Sequence, residues 1–135
     1  MMRKKIMIID DNSEFLDELK ETMDLSGYDT ERFSDGETAL RCVEEFRPDA
    51  ILLDLKMSGK SGFQVADLLT NQEHTSHIPI IAMTGFFKEK EHELLMKTCG
   101  IKTCLLKPFN PLDVIAEIEH LLKGEKGRLE SVVSE

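Results

Sequence analysis

Four apolar runs of four to six residues are spaced along the chain, and each is followed by a stretch with apolar residues every three or four positions. The runs show no polar alternation, which is typical of parallel strands that are buried on both faces. A fifth run is short and polar and suits the edge of a sheet. The pattern predicts strands at Ile6–Ile9, Tyr28–Phe33 (the polar run), Ala50–Asp54, Ile78–Met83 and Thr103–Leu106.

Helical spacing and capping residues predict five helices, one after each strand. Asn12 or Ser13 suits the N-cap of the first helix, and Ser34 and Glu37 have the spacing of a capping box at the second. Asn110 as cap, with proline at the first helical position, opens the last helix. The first helix carries Phe15, Leu16, Leu19 and Met23 on one face, and the last carries Leu112, Ile115, Ile118 and Leu122.

Strands that alternate with helices in this way fold into a doubly wound α/β sheet with right-handed crossovers. At 135 residues the chain is most simply one domain. We assign residues 1–123 to this domain, with five parallel strands and five helices. Residues 124–135 are mostly polar and charged, and we expect a flexible C-terminal tail there with a helical turn through Leu129, Val132 and Val133.

The charge of the chain narrows the range of partners. Seventeen basic and 26 acidic residues give a net charge of −9, which argues against a surface for nucleic acid or anionic membrane. No stretch approaches the roughly 20 apolar residues of a membrane span, so we expect a cytoplasmic protein. The three cysteines, Cys42, Cys99 and Cys104, lack C-x-x-C spacing and are expected to pack as small apolar residues.

Charged or hydroxyl side chains stand at the carboxyl ends of four predicted strands. Asp10 and Asp11 follow the first strand, Asp54 ends the third, Thr84 follows the fourth and Lys107 follows the fifth. These strand ends share one edge of the sheet, where open α/β sheets bind their ligands. Three converging carboxylates repel one another unless a hard cation such as Mg²⁺ joins them. A carboxylate can also carry a phosphoryl group, whose charge Mg²⁺, Lys107 and Thr84 would stabilise.

Four sequence motifs at these strand ends resemble the signature of response regulator receiver domains. They are Ile8-Ile9-Asp10-Asp11-Asn12, Leu52-Leu53-Asp54-Leu55-Lys56-Met57, Met83-Thr84-Gly85 and Leu106-Lys107-Pro108-Phe109. The resemblance covers residues from about 5 to 123, which is the whole predicted fold. It implies the CheY-like strand order 2-1-3-4-5.

The resemblance also implies a role for each matching residue. Asp54 matches the aspartate that is phosphorylated from a histidine kinase or a histidine phosphotransfer protein. Asp11 matches the direct Mg²⁺ ligand, Asp10 matches the acid that holds the ion through water, and the backbone carbonyl of Lys56 matches a third protein ligand.

Thr84 matches the hydroxyl that moves toward the phosphoryl group, and Lys107 matches the lysine that pairs with it. The Lys107–Pro108 bond is expected to be cis, as in the family. Two positions depart from the family pattern. Ser58 stands where members usually have proline, which predicts a more mobile loop, and Cys104 stands where they usually have tyrosine or phenylalanine. The rotating aromatic of the family's usual read-out is therefore missing.

Two further motifs have simpler interpretations. His74 and His77 have H-x-x-H spacing, but no cysteine or acidic residue stands at metal-ligand spacing, so we interpret them as solvated histidines. Phe86 and Phe87 are interpreted as cover for the core; if one is exposed beside the site, it becomes a candidate partner contact.

The residues favour a phosphoacceptor switch, in which Asp54 is phosphorylated in a Mg²⁺-dependent reaction and the domain then changes its binding to an unidentified downstream protein. Such a domain catalyses only its own phosphorylation and dephosphorylation, and homodimerisation is left open. Three alternatives stay open: an aspartyl-phosphate phosphatase, a flavodoxin-like FMN carrier, and a receiver-shaped scaffold that is never phosphorylated. The first strand lacks the D-x-D pair of such phosphatases, and its aspartates would repel the FMN phosphate.

Overall fold

The computed structural model describes residues 3–57, 59–85, 89–123 and 131–133, with the backbone alone at 89–93 and 131–133. The strands are β1 (Lys5–Ile9), β2 (Asp29–Phe33), β3 (Ala50–Asp54), β4 (Ile80–Thr84), β5 (Thr103–Leu106) and β6 (Ser131–Val133). The helices are α1 (Ser13–Leu25), α2 (Gly36–Phe46), α3 (Gly62–Thr70), α4 (Glu89–Thr98) and α5 (Pro111–Leu122).

In the described part of the chain, six strands form one sheet in the order β2-β1-β3-β4-β5-β6, and every pairing is parallel. The first five strands have the order 2-1-3-4-5, which confirms the predicted fold. The polar strand β2 lies at one edge of the sheet, as its sequence predicts. Because all strands run the same way, β1, β3, β4 and β5 end at one edge.

Strand β6 stands where the sequence favours a helical turn. Its backbone pairs in parallel with β5, with Val132 opposite Leu105. The predicted turn is wrong because β-branched valines suit a strand, and the edge of β5 offers unpaired backbone groups. The other residues of the predicted tail, 124–130 and 134–135, lie outside those that the structure describes.

Two apolar layers cover the sheet, because alternate residues of each central strand point to opposite faces. The layer toward α2, α3 and α4 includes Met7, Ile9, Ile51, Leu53, Val65 and Met96. The layer toward α1 and α5 includes Ile6, Ile8, Leu16, Leu52 and Ile118. β1 and β3 are therefore covered on both faces, and their carboxyl ends are held in place.

None of the described helices is both long and apolar enough to cross a membrane.

The helices α1 and α5 begin at the predicted caps. Asn12 Oδ1 accepts a hydrogen bond from the backbone N–H of Phe15 at 3.1 Å. Asn110 Oδ1 accepts one from the backbone N–H of Leu112 at 2.9 Å, and Pro111 occupies the first helical position. Each cap satisfies a backbone donor that the first turn of the helix leaves without a partner.

The start of α2 differs from the prediction. Asp35 is the cap, and its Oδ1 accepts a hydrogen bond from the backbone N–H of Thr38 at 2.8 Å. The predicted capping box of Ser34 and Glu37 is wrong. Because α2 begins at Gly36, Asp35 is the residue next to the open N–H groups, and its negative charge is favourable there.

The buried face of α5 is also rotated from the prediction. Leu112 is 66% exposed, whereas Val114 and Ile118 are fully buried. Ile115 and Leu122 pack partly against the same layer. Two residues along a helix correspond to a rotation of about 200°, so Leu112 and Val114 lie on opposite faces, and only one of them can face the sheet.

Candidate functional site

The aspartates at the ends of β1 and β3 meet at the carboxyl edge of the sheet. Carboxylate oxygens of Asp10, Asp11 and Asp54 lie within 4.8 Å of one another. Asp10 and Asp54 are buried and Asp11 is exposed, so the cluster is accessible on the side of Asp11. Aspartates far apart in sequence thus form one group of hard oxygen donors, the donor type that Mg²⁺ prefers.

The ammonium group of Lys107 lies against this cluster. Its Nζ donates to Asp10 Oδ2 at 2.6 Å and lies 3.8 Å from Asp54 Oδ1. The backbone N–H of Lys107 donates to the Thr84 carbonyl at 2.7 Å, which continues the pairing of β4 with β5. The following Lys107–Pro108 bond is cis, as the resemblance implies. The ammonium is therefore within electrostatic reach of both carboxylates.

Thr84 and Lys56 flank the same edge. Asp54 stands opposite Met83 in the paired strands, so the buried Thr84 lies one residue beyond the register of Asp54. The backbone N–H of Lys56 donates to Asp54 Oδ1 at 3.4 Å, which holds the start of the loop near the carboxylate. The roles implied for the Thr84 hydroxyl and the Lys56 carbonyl stay predictions.

The surroundings of Asp54 raise its pKa to about 6. Burial is the largest cause, and the charge of Asp10 adds to it, while Lys107 and the N–H of Lys56 act in the opposite direction. The fold therefore holds an ionised Asp54 in an unfavourable place. A cation among the carboxylates would remove much of this free-energy cost, so the residues present fit Mg²⁺.

The start of α3 lies so close to the end of β3 that only glycine fits at position 62. A Cβ on Gly62 would lie 2.2 Å from the Asp54 carbonyl oxygen and 2.6 Å from Leu55 Cα. Gly62→Ala is therefore expected to lower the free energy of unfolding by about 2 to 3 kcal/mol through overpacking, as measured by urea denaturation. Gly85→Ala is the control, because a Cβ there meets no atom of the described residues within 4 Å. Equal losses in the two variants would contradict this explanation.

One contact at the site was not anticipated from the sequence. Helical periodicity assigns Phe15 only to the apolar face of α1, whereas Lys107 Nζ lies 4.3 Å from the centroid of its ring. The sequence does indicate where the Phe15 side chain lies. Phe15 is in the first turn of α1, shortly after Asp11, and that turn is at the same edge of the sheet as the strand ends. Such a distance is in the range of a cation–π interaction.

Cys104 occupies the position where the family usually has an aromatic residue. It is buried in the apolar layer toward α2, α3 and α4, and burial raises the pKa of its thiol to about 12. Cys99 is also buried, and Cys42 is half-buried. Cys104 and Cys99 therefore pack as apolar residues, as predicted.

His74 has an acidic neighbour that sequence spacing does not reveal. Its Nε2 contacts the carboxylate of Glu44 on α2. Both side chains are more than half exposed, at 53% and 65%. Within the described ranges, the aspartates form the only group of three or more such ligands, so the interpretation of His74 as solvated stands. Predictions for Ser58, Phe86 and Phe87 lie outside the described residues.

Comparison with protein families identifies the chain. The model of the response regulator receiver domain matches residues 6–119. The polar-differentiation response regulator DivK of Brucella anthropi is 32% identical over 121 residues, which are 90% of this chain and 98% of that protein. The match therefore extends over nearly the full length of both proteins.

Solved structures give the same result. The chemotaxis protein CheY4 of Vibrio cholerae superposes with a TM-score of 0.84 at 26% identity, covering 88% of this chain and 98% of that one. The receiver domain of a signal transduction histidine kinase from Syntrophus aciditrophicus superposes with a TM-score of 0.82 at 28% identity, covering 96% of each. The chain therefore belongs to the response regulator receiver domain family, whose members are two-component signalling domains rather than classical enzymes.

Proposed function

We propose that Asp54 is the phosphoacceptor of this receiver domain, in a reaction that depends on Mg²⁺. Receiver domains act with kinase or phosphotransfer partners, and here the donor would be a phosphohistidine of a histidine kinase or a histidine phosphotransfer protein. The observation that carries the proposal is the position of Asp54. Its buried carboxylate shares one cluster with Asp10 and Asp11 and lies 3.8 Å from the Lys107 ammonium.

The residues that would hold the metal are Asp10, Asp11, Asp54 and the backbone carbonyl of Lys56. When bound there, Mg²⁺ supplies positive charge that draws the carboxylate and phosphoryl oxygens together. Because Asp11 is exposed, a cation held by these residues would be accessible to water and to a phosphoryl donor. Asp10 would contribute mainly charge, because Lys107 already donates to its Oδ2.

In the transfer step, an Asp54 oxygen forms a bond to phosphorus while the bond from phosphorus to the histidine nitrogen breaks. The nitrogen keeps that electron pair and leaves as part of a neutral imidazole after protonation. Lys107 Nζ donates to a phosphoryl oxygen as charge develops there during the step, and the Thr84 hydroxyl then donates to another. Hydrolysis of the acyl phosphate by water returns the domain to its resting state.

The phosphorylated site would act on partners by biasing two arrangements of the surface near β4 and β5. Thr84 ends β4 and Lys107 follows β5. A contact of either side chain with the phosphoryl group would therefore shift the end of the strand that carries it. Cys104 is a small buried residue, so the read-out at this position is not the rotation of an aromatic ring. An unidentified downstream protein would recognise the altered surface. Alternatively, two phosphorylated copies of the domain would bind each other through it.

The test is incubation of the protein with Mg²⁺ and acetyl phosphate, followed by mass spectrometry of the intact chain. We expect a mass increase of one phosphoryl group on the wild type, its loss when EDTA replaces Mg²⁺, and none on Asp54→Asn. An unmodified wild type would favour a scaffold that is never phosphorylated. An equal mass increase on Asp54→Asn would move the acceptor to another residue.

A further inference from the structure

Lys107 is held by an aromatic ring as well as by two carboxylates. Its Nζ lies over the Phe15 ring, 4.3 Å from the centroid, inside the limit of about 6 Å for cation–π attraction. The Lys107 side chain is only 22% exposed, so little water competes for the ammonium. The ring and the carboxylates of Asp10 and Asp54 therefore share one cation.

The Phe15 ring is itself fixed by its neighbours. Phe109 packs against it in a T-shaped arrangement, with centroids 5.6 Å apart and planes at 79°. The backbone N–H of Phe15 donates to Asn12 Oδ1, and the backbone N–H of Asn12 donates to Asp10 Oδ1 at 3.0 Å. Lys107 Nζ donates to the other oxygen of Asp10, so Phe15, Asn12, Asp10 and Lys107 are joined in a continuous ring of contacts.

We propose that Phe15 is a positioning residue that orients Lys107 for phosphoryl transfer to Asp54. This inference rests on the proposed function and adds a residue to it. A lysine ammonium on a flexible stem samples many positions, and Asp10 binds it more closely than Asp54 does, at 2.6 Å against 3.8 Å. The Phe15 ring supplies a third attraction. It keeps the Lys107 ammonium close to Asp54 while the hydrogen bond from Lys107 to Asp10 is exchanged for one to the phosphoryl group.

An aromatic ring suits this task better than the other side chains that would fit. It attracts the cation without accepting an N–H⋯O bond and without neutralising the charge, so the three N–H donors of Lys107 stay available for oxygen atoms. A carboxylate in place of Phe15 would compete with the phosphoryl oxygens for those donors. An aliphatic residue would preserve packing against Phe109 but would not attract the cation.

The test is stepwise fluorination of the Phe15 ring by incorporation of 4-fluoro-, 3,5-difluoro- and 3,4,5-trifluorophenylalanine. Fluorine withdraws charge from the ring face with little change of shape. We expect the rate of phosphorylation by acetyl phosphate at saturating Mg²⁺ to fall with each fluorine, to about one fifth in the trifluoro protein. Phe15→Leu should slow the reaction to a similar extent, and Phe15→Tyr should retain most of the rate.

Phe46 offers a matched control, because Lys5 Nζ lies 5.4 Å from its ring centroid at the opposite edge of the sheet. Fluorination of Phe46 should leave the rate unchanged. In both series the midpoint of thermal unfolding should stay close to that of the wild type. In a Lys107→Met background, fluorination of Phe15 should have no effect, because the ring acts through the lysine.

The outcomes separate this inference from the function on which it rests. If the wild type is not phosphorylated, the proposed function fails. If the wild type is phosphorylated and the trifluoro-Phe15 protein reacts at the same rate, the function stands and the positioning role is overturned. An equal loss of rate in the Lys107→Met background would also overturn it, because the ring would then act by packing alone.

Discussion

Asp54→Asn is expected to raise the free energy of unfolding of the metal-free protein by about 2 to 3 kcal/mol at pH 7. The fold raises the pKa of Asp54 from 3.8 to about 6, chiefly by burial and by the charge of Asp10. A group whose pKa is raised on folding binds its proton more tightly in the native state. Its ionisation therefore destabilises the native state progressively as the pH rises from about 4 to about 6, and the full cost is present above that range.

The pH dependence separates this effect from changes in packing. Asparagine carries no charge at any pH, so the two proteins should be almost equally stable at pH 4 and should differ by a constant amount above pH 7. Every other carboxylate is common to both proteins, and the difference between their urea denaturation curves in EDTA therefore isolates Asp54. A variant that is less stable than the wild type at pH 7, or a difference that does not change with pH, would contradict the electrostatic explanation.

Added Mg²⁺ should narrow the difference between the two proteins. A ligand that binds only the native state raises its stability by RT ln(1 + [L]/Kd), which is about 2.7 kcal/mol at one hundred times Kd. Asp54→Asn removes one of the three charges of the cluster, so the variant should gain less from the ion than the wild type. The three clustered carboxylates thus lower the stability of the metal-free fold, and the same negative charge provides the affinity for Mg²⁺.

The fold was predictable because buried parallel strands leave an unmistakable sequence pattern. Their apolar runs do not alternate with polar residues. Each of the four central runs is followed by a charged or hydroxyl residue; Asp10 follows Ile9, for example, and Asp54 follows Leu53. Periodicity alone does not order the strands in the sheet, and the order 2-1-3-4-5 came from the family resemblance. The structure bears out that order.

The features that escaped prediction depend on contacts between distant segments. Periodicity places Phe15 on an apolar face, but it does not reveal that the facing cation belongs to Lys107, 92 residues later. Strand β6 is three residues long and has no pattern of its own; it forms against the exposed edge of β5. The prediction for Leu112 is wrong because helical spacing groups apolar residues but does not fix which face of the helix meets the sheet, and Val114 is the buried residue instead.

Lys107→Met is expected to slow phosphorylation by acetyl phosphate about 100-fold, because a donor aimed at developing phosphoryl charge is lost. Methionine keeps much of the apolar stem, so packing against Phe15 should be largely preserved. The metal-free variant should also lose about 3 kcal/mol of stability, because the fully buried Asp10 loses its cation.

Magnesium ions distinguish the two consequences of Lys107→Met. Their charge can replace the ammonium beside Asp10, so saturating Mg²⁺ should restore much of the lost stability, but it cannot place an N–H donor on the phosphoryl group. Rates and urea midpoints measured with and without Mg²⁺ provide the check, with Lys102→Met as the control, since Lys102 is exposed near the opposite end of β5. A rate within threefold of the wild type would mean that Lys107 stabilises the acidic cluster and takes no part in the transfer, and the observed bond to Asp10 would then be its entire role.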